Sequence, residues 1–191
     1  MGTYEYHRIK ELAQRLREAG IDRRRIDRIM EGGEGILRGT KPEKKAEWMR
    51  GAMIRMNRLL DRQTRNAVRE ACACCLGGRR LEISKAIALE NETLRDRVKA
   101  ADAANYVGSV TMGENGEILV RFAPEGLDRY RCVCLPKAEK PLPITYCYCC
   151  GGHVKHHLQI ALGRNLDCTV LSSALSSAGQ RPCKFSFRTT D

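Results

Sequence analysis

The sequence predicts an α+β fold, in which a helical N-terminal segment precedes an antiparallel sheet with one helix packed on it. Two observations support this prediction. Apolar residues recur every three or four positions through roughly the first 100 residues, which is the spacing of amphipathic helices. From about residue 106, apolar and polar residues alternate instead, around an Asn115–Gly116 pair typical of a β-hairpin turn. Helices followed by strands along a chain are typical of α+β domains.

The helices are predicted from their apolar stripes and from the residues that start or stop them. The first covers residues 4–19 and ends at Gly20, and a short second helix follows. Pro42 suits the first position of a third helix, and Asp61 suits the N-cap of a fourth. Gly77 and the glycine after it would end that helix, so the first cysteine cluster is expected in its last turn.

Five stretches of the second half are predicted as strands or hairpins. They are the hairpin at 106–126, RCVCLP at 131–136, ITYCYCC at 144–150, LDCTVLSSAL at 166–175 and CKFSFRT at 183–189. Gly151–Gly152 would turn the chain into a helix that ends at Gly163. The layout is therefore ββ(β)βαββ. We expect residues 1–60 to form a helical N-terminal extension and residues 61–191 a cysteine-rich domain.

The distribution of apolar residues indicates the cellular compartment in which we expect the protein. No run approaches 18 apolar residues, which argues against a membrane-spanning helix. The N-terminus is charged and lacks the apolar core of a secretory signal. We therefore expect a cytoplasmic protein, although the residues do not decide whether it is an enzyme.

Positive charge is concentrated in the N-terminal half. The net charge of the chain is +11, and residues 1–80 carry 20 Lys and Arg against 11 Asp and Glu. These charges mostly alternate with acids on helical patterns, which indicates solvated helix faces. Nucleic acid is therefore a disfavoured partner, although a protein or nucleic-acid interaction through the basic helices stays an alternative.

Eight of the ten cysteines lie in three tight clusters, and only Cys168 and Cys183 stand apart. A reducing compartment disfavours structural disulfides, so clustered thiols there indicate metal binding or redox chemistry. The clusters are CACC (Cys72, Cys74, Cys75), CVC (Cys132, Cys134) and CYCC (Cys147, Cys149, Cys150).

The pattern predicts a zinc site that joins CACC to CYCC. Structural zinc takes four tetrahedral ligands, often as two close pairs. Cys72 and Cys75 could form one pair at a helix end, and Cys147 and Cys149 another on one strand face. The expected ligands are Cys72, Cys74, Cys75, Cys147, Cys149 and Cys150, with Cys132, Cys134, His153 and Cys183 as weaker candidates. An iron–sulfur cluster uses the same thiolates and stays open.

A reactive thiol is the other chemical hypothesis. Cys149 and Cys150 precede a predicted helix N-terminus, where the helix dipole lowers a thiol's pKa. His153 lies close enough in sequence for a Cys–His pair, but no third orienting group is visible. His157 shares the face of His153, whereas His156 is expected in solvent. A thiol- or iron–sulfur-dependent enzyme is therefore the alternative to a binding protein.

The last 45 residues, roughly, resemble four-vinyl-reductase domains. Their signature is a glycine-led helix ending in leucine and glycine, then a strand, then G–x–x–x–C–x–F. Here CCGGHVKHHLQIALG and LDCTV are followed by Gly179, Cys183 and Phe185. The three cysteine clusters together also resemble an uncharacterised cysteine-rich bacterial family of unknown function.

The four-vinyl-reductase resemblance implies a small-molecule-binding module, of the kind found in sensory domains and in accessory proteins of tetrapyrrole metabolism. Some relatives bind zinc through cysteines near the equivalents of Cys147 and Cys183. Their acidic residue and cysteine on the penultimate strand fall in LSSAL, residues 171–175, where neither is present. CACC or CVC would have to supply those ligands. The expected partners are thus a small-molecule ligand and, as a further alternative, a second copy of the chain in a homodimer.

Overall fold

A computed structural model describes residues 4–190 as an α+β fold, with the helices concentrated in the first half of the chain. Within these residues there are seven α-helices. They are α1 (His7–Glu18), α2 (Arg23–Met30), α3 (Pro42–Leu59), α4 (Arg62–Ala71), α5 (Arg79–Glu90), α6 (Leu94–Ala104) and α7 (Tyr148–Leu162).

Four strands form one antiparallel sheet in the order β1-β2-β4-β3. They are β1 (Ser109–Met112), β2 (Ile118–Arg121), β3 (Leu166–Ser172) and β4 (Lys184–Thr189). The predicted hairpin at Asn115–Gly116 is confirmed, because β1 pairs with β2 and the amide of Gly113 donates to the carbonyl of Glu117 at 2.8 Å. Strand β4 lies between the hairpin and β3, so the C-terminal strand holds the sheet together.

The starts of α3 and α4 follow the residues that predicted them, and α2 begins after an N-cap, Asp22, that was not among the predicted ones. The carboxylates of Asp22 and Asp61 accept hydrogen bonds from the amides of Arg25 and Thr64 in the first turns of α2 and α4. Pro42 is the first residue of α3, where its missing N–H has no partner to lose.

One apolar core runs through the helical half and the sheet. It includes Ile9 of α1, Met53 of α3, Leu158 of α7 and Phe185 of β4, all fully buried. The predicted N-terminal extension therefore packs into the same core as the cysteine-rich part. Within residues 4–190, none of the helices has the length and apolarity needed to cross a bilayer.

Two predicted strands do not form. Residues 131–136 lie in an irregular loop, and residues 144–150 form a 3₁₀ turn (Ile144–Cys147) that leads directly into α7. The β-branched and aromatic residues of ITYCYCC favour a strand locally, but such preferences yield to tertiary packing. Here the segment packs against α3 and α4. Cys149 and Cys150 consequently lie at the start of a helix, and Cys132 and Cys134 lie in a loop, where strands were predicted.

Gly151 and Gly152 lie inside α7 rather than in a turn before it. A Cβ on Gly151 would lie 2.6 Å from Sγ of Cys168 on β3. A Cβ on Gly152 would collide with the backbone carbonyl of Glu70 in α4. The glycine pair therefore lets α7 approach α4 and β3 closely, which brings the start of α7 next to the end of α4.

We expect Gly152→Ala to lower the free energy of unfolding by about 1–3 kcal/mol, because overpacking against a backbone atom cannot be relieved by a rotamer change. Urea denaturation measures this. Gly77→Ala is the matched control, since nothing lies within 4 Å of its Cβ position. Equal stability of both variants would contradict the close α4–α7 contact.

Candidate functional site

Four cysteines line one cavity of about 460 Å³ between α1, the end of α4 and the start of α7. They are Cys72, Cys74, Cys134 and Cys149. The cavity walls also include the guanidinium groups of Arg8 and Arg69 and the ring of Tyr146. We call this space the thiol cavity. It gathers members of all three sequence clusters.

The cysteines reach the cavity from different kinds of backbone. Cys72 caps the C-terminus of α4, and Cys74 and Cys75 follow in the CACC loop, residues 72–76. Cys149 and Cys150 lie in the first turn of α7. The sequence predicted the CACC cysteines within a helical turn, but α4 ends at Ala71, so these thiols lie on a loop.

Four of the thiols form a connected group, which we call the thiol cluster: Cys132, Cys134, Cys149 and Cys150. The sulfurs of Cys134 and Cys150 are 3.9 Å apart. Cys132 interacts with Cys134, and Cys149 with Cys150, closely enough that each thiol shifts its partner's pKa. The CVC motif, a weaker candidate from the sequence, is therefore in direct contact with the CYCC motif.

Arg69 is a buried cation beside this group. Its side chain is 3% exposed, and its Nη2 donates to the carbonyl of Tyr146 at 3.1 Å. The guanidinium carbon lies 4.8 Å from the centre of the Tyr146 ring. Its electrostatic neighbours are Cys149, Cys72, Tyr146 and Cys150, and within residues 4–190 no carboxylate forms an ion pair with it. Its Nε is buried without a hydrogen-bond partner.

Arg8 approaches the thiol cluster from α1. Its Nη1 donates to the carbonyl of Cys134 at 2.7 Å and to the hydroxyl of Tyr146 at 3.1 Å. Tyr146 thus accepts hydrogen bonds from both arginines, through its hydroxyl and its carbonyl. The two cations are fixed on either side of one buried tyrosine, and both stabilise negative charge on nearby sulfur.

Two thiols of the cluster are the ones that ionise most readily. Hydrogen bonds from Cys132 and Cys150, together with the charges of Arg8 and Arg69, lower the pKa of Cys134. The Cys150 thiol and the Arg69 charge lower the pKa of Cys149 to about 7, although burial opposes this. The cluster is therefore arranged to hold thiolates.

Three histidines of α7 hold the CACC loop by its backbone. We call His153, His156 and His157 the histidine row. Nδ1 of His153 donates to the carbonyl of Cys74 at 2.8 Å. Nε2 of His156 and of His157 donate to the carbonyls of Leu76 and Cys75, each at 3.1 Å.

These contacts change the interpretation of the histidines. The sequence predicted His153 as a weaker metal-ligand candidate and placed His156 in solvent. His156 is instead partly buried and bonded to the loop. His157 is fully buried, and its Nδ1 lies 3.3 Å from Oγ of Ser84. In the structure all three rings use a nitrogen to fix the backbone that carries Cys74 and Cys75.

The remaining cysteines lie away from the cluster. Cys147, predicted as a main ligand, is buried and donates to the hydroxyl of Ser173 at 3.1 Å. Burial raises the pKa of Cys147 to about 12. Cys183 lies next to the start of β4, and burial also raises its pKa. Within residues 4–190, there is no group of three or more Cys, His, Asp or Glu side chains that could hold a metal ion as they stand.

Sequence reasoning missed three non-cysteine residues of the site, Arg8, Arg69 and Tyr146. Arg8 and Arg69 look like solvated positions of amphipathic helices, and Tyr146 looks like a strand residue. The available signal was the position of Arg69 beside Val68 on the apolar side of α4, three residues before Cys72. An arginine on a buried helix face requires a partner.

We expect alkylation of the reduced, metal-free protein by iodoacetamide to reach half its maximal rate at Cys149 near pH 7, because the Cys150 hydrogen bond and Arg69 favour the thiolate. Arg69→Gln should move this midpoint to higher pH. Mass-spectrometric peptide mapping measures each site, with Cys168, whose pKa is raised by burial, as the slow internal control. A Cys149 midpoint unaffected by Arg69→Gln would contradict the proximity of the two groups.

The histidine row predicts acid sensitivity. Burial lowers the pKa of His153 and His157 below the usual 6.5. Their neutral form therefore stabilises the fold above pH 6.5, and this stabilisation is lost as the pH falls through the lower folded pKa. Urea denaturation above and below pH 6.5 should show a smaller pH effect for His157→Gln, which keeps a donor without a titrating ring. An unchanged pH dependence in this variant would contradict the role of His157.

Comparison with known proteins identifies the family of the chain but no activity. No curated protein and no solved structure matches it significantly. The sequence model of one family of unknown function, DUF6144, matches residues 7–187, which is nearly the whole chain. The uncharacterised family expected from the cysteine clusters is thus confirmed at that level, and the chain belongs to the family of unknown function DUF6144.

Proposed function

We propose that this chain is a metal-binding protein whose thiol cluster holds a thiophilic ion as a thiolate complex, with zinc as the expected metal. The observation that carries the proposal is the buried guanidinium of Arg69, which lies among thiols without a carboxylate partner. A buried charge without a partner is strongly destabilising. A metal–thiolate complex would supply the missing negative charge.

The charges balance in such a complex. Zinc bound by the four thiolates of Cys132, Cys134, Cys149 and Cys150 carries a net charge of about −2, since each bound thiol is deprotonated. Arg8 and Arg69 together carry the opposite charge. The orphaned Nε–H of Arg69 would gain a sulfur acceptor, in the way that hydrogen bonds to sulfur stabilise other thiolate centres.

The spacing of one pair of sulfurs suits this complex. Two sulfurs bound to one tetrahedral zinc at about 2.3 Å are about 3.8 Å apart. Cys134 and Cys150 are 3.9 Å apart. Cys132 and Cys134 lie on an irregular loop, and the proposed complex requires this loop to bring the CVC thiols onto an ion beside the first turn of α7.

A small-molecule ligand is the second part of the proposal. The thiol cavity is large enough for a small ligand, and its walls combine cations with sulfur. The resemblance of Gly179, Cys183 and Phe185 to the four-vinyl-reductase signature supports a ligand-binding or sensory module of that kind. The metal would then be structural or would help to hold the ligand.

A thiol- or iron–sulfur-dependent enzyme is the second candidate. The observation that favours it is the exposure of Cys149 to the cavity with a lowered pKa, as a nucleophilic thiol requires. An iron–sulfur cluster would use the same thiolates and gain the same charge balance from the arginines.

Metal analysis tests both candidates. Protein purified anaerobically should carry at least one equivalent of metal, and Cys134→Ser with Cys150→Ser should lose it. Cys168→Ser, on β3 and outside the cavity lining, is the matched control that should retain it. Colourless protein with zinc supports the first candidate, and absorbance near 400 nm supports a cluster. Less than about 0.2 equivalents of any transition metal would contradict the metal proposal.

A further inference from the structure

The CACC loop presents a second set of thiols to the thiol cavity. Cys72 and Cys74 line the same space as Cys134 and Cys149 of the thiol cluster. Burial and the Cys75 thiol, whose sulfur lies 3.8 Å away, raise the pKa of Cys74, and Cys134 and Cys149 contribute in the same direction. Burial raises the pKa of Cys72, and Cys149 adds to this effect. Members of the two sets therefore line one cavity. A complex of the four cluster thiols alone would not need Cys72 or Cys74 there.

The loop is also held in place more firmly than an ordinary surface turn. Cys74, Cys75 and Leu76 each receive a hydrogen bond from the histidine row at their backbone carbonyls. Cys75 adopts a left-handed backbone, with φ of +60°. A non-glycine residue rarely adopts this conformation, and it persists only where the surroundings enforce it. The histidines thus fix the backbone that carries Cys74, a residue that lines the cavity.

We propose that Cys72 and Cys74 bind a second metal ion, which shares the thiolates of Cys134 and Cys149 with the first. This inference rests on the proposed metal-binding function and extends it to a two-metal centre. The ion is a thiophilic divalent cation such as zinc or cadmium, because its donors are thiolates alone.

Six thiolates are enough to give each of two tetrahedral ions its four ligands. Each ion needs four metal–sulfur bonds. The thiols of Cys72 and Cys74, together with the four of the thiol cluster, supply all eight bonds when two of the six sulfurs bridge both ions. Each thiol loses its proton to solvent on binding. The complex then again carries a net charge of about −2, opposite to the combined charge of Arg8 and Arg69.

The two ions differ in accessibility. Cys74 is exposed, whereas Cys149 and Cys150 are only partly accessible. The ion held by Cys72 and Cys74 should therefore leave first when a chelator is added. The two ions can therefore be distinguished by the rate at which a chelator removes each of them.

Cadmium titration of the full-length reduced protein tests the inference. Native mass spectrometry should show two cadmium ions per chain, and ¹¹³Cd NMR should show two signals coupled through bridging sulfur. Cys72→Ser with Cys74→Ser should reduce the count to one. Cys168→Ser, on β3 and outside the cavity lining, is the matched control that should keep two, whereas Cys75 is unsuitable because its sulfur lies 3.8 Å from that of Cys74.

The outcomes separate this inference from the proposed function. A single cadmium ion in the unmodified protein, removed by Cys134→Ser with Cys150→Ser, would overturn the two-metal centre and leave the proposed function standing. Two signals without mutual coupling would overturn the shared thiolates. The absence of any bound ion would overturn both proposals. Circular dichroism of each variant establishes that it is folded, and the coupling in the unmodified protein requires no variant at all.

Discussion

The buried positive charge of Arg69 is the constraint on which the arrangement of the site depends. Its aliphatic stem and guanidinium are enclosed by α4, Tyr146 and the thiols, and no acid within residues 4–190 neutralises it. Removing a cation from water is expensive unless hydrogen bonds and opposite charge replace the solvent. The carbonyl and ring of Tyr146 and the neighbouring sulfurs are in place to do this. The same attraction between Arg69 and the Cys149 sulfur also lowers the pKa of Cys149.

The elements that bring the thiols together are positioned by ordinary packing. Gly151 and Gly152 allow α7 to lie against β3 and α4 without side chains between them. The start of α7 and the end of α4 therefore meet, and the CYCC and CACC motifs meet with them. Arg8 adds α1 to this arrangement through the carbonyl of Cys134. The site consequently depends on the helical N-terminal half as much as on the cysteine-rich part.

Much of the fold could be predicted from local patterns, but the site could not. Helix starts at Pro42 and Asp61 and the Asn115–Gly116 hairpin rest on interactions between near neighbours in sequence, which a sequence shows directly. ITYCYCC was predicted as a strand because its residues favour strands, whereas contacts with α3 and α4 decide its conformation. The cysteine clusters indicated a thiol site, and CYCC and CACC do approach each other. The contact between CVC and Cys150, and the role of Arg69, depend on long-range packing that no spacing encodes.

The histidine row has a consequence for how this family can vary. Its three hydrogen bonds end on main-chain carbonyls, which every residue type provides. The path of the CACC loop is therefore independent of which side chains the loop carries at positions 74 and 76. Substitutions there can replace a thiol by an imidazole, a carboxylate or an apolar group while the backbone keeps its course. The same scaffold can in this way present a different side chain to the cavity at position 74.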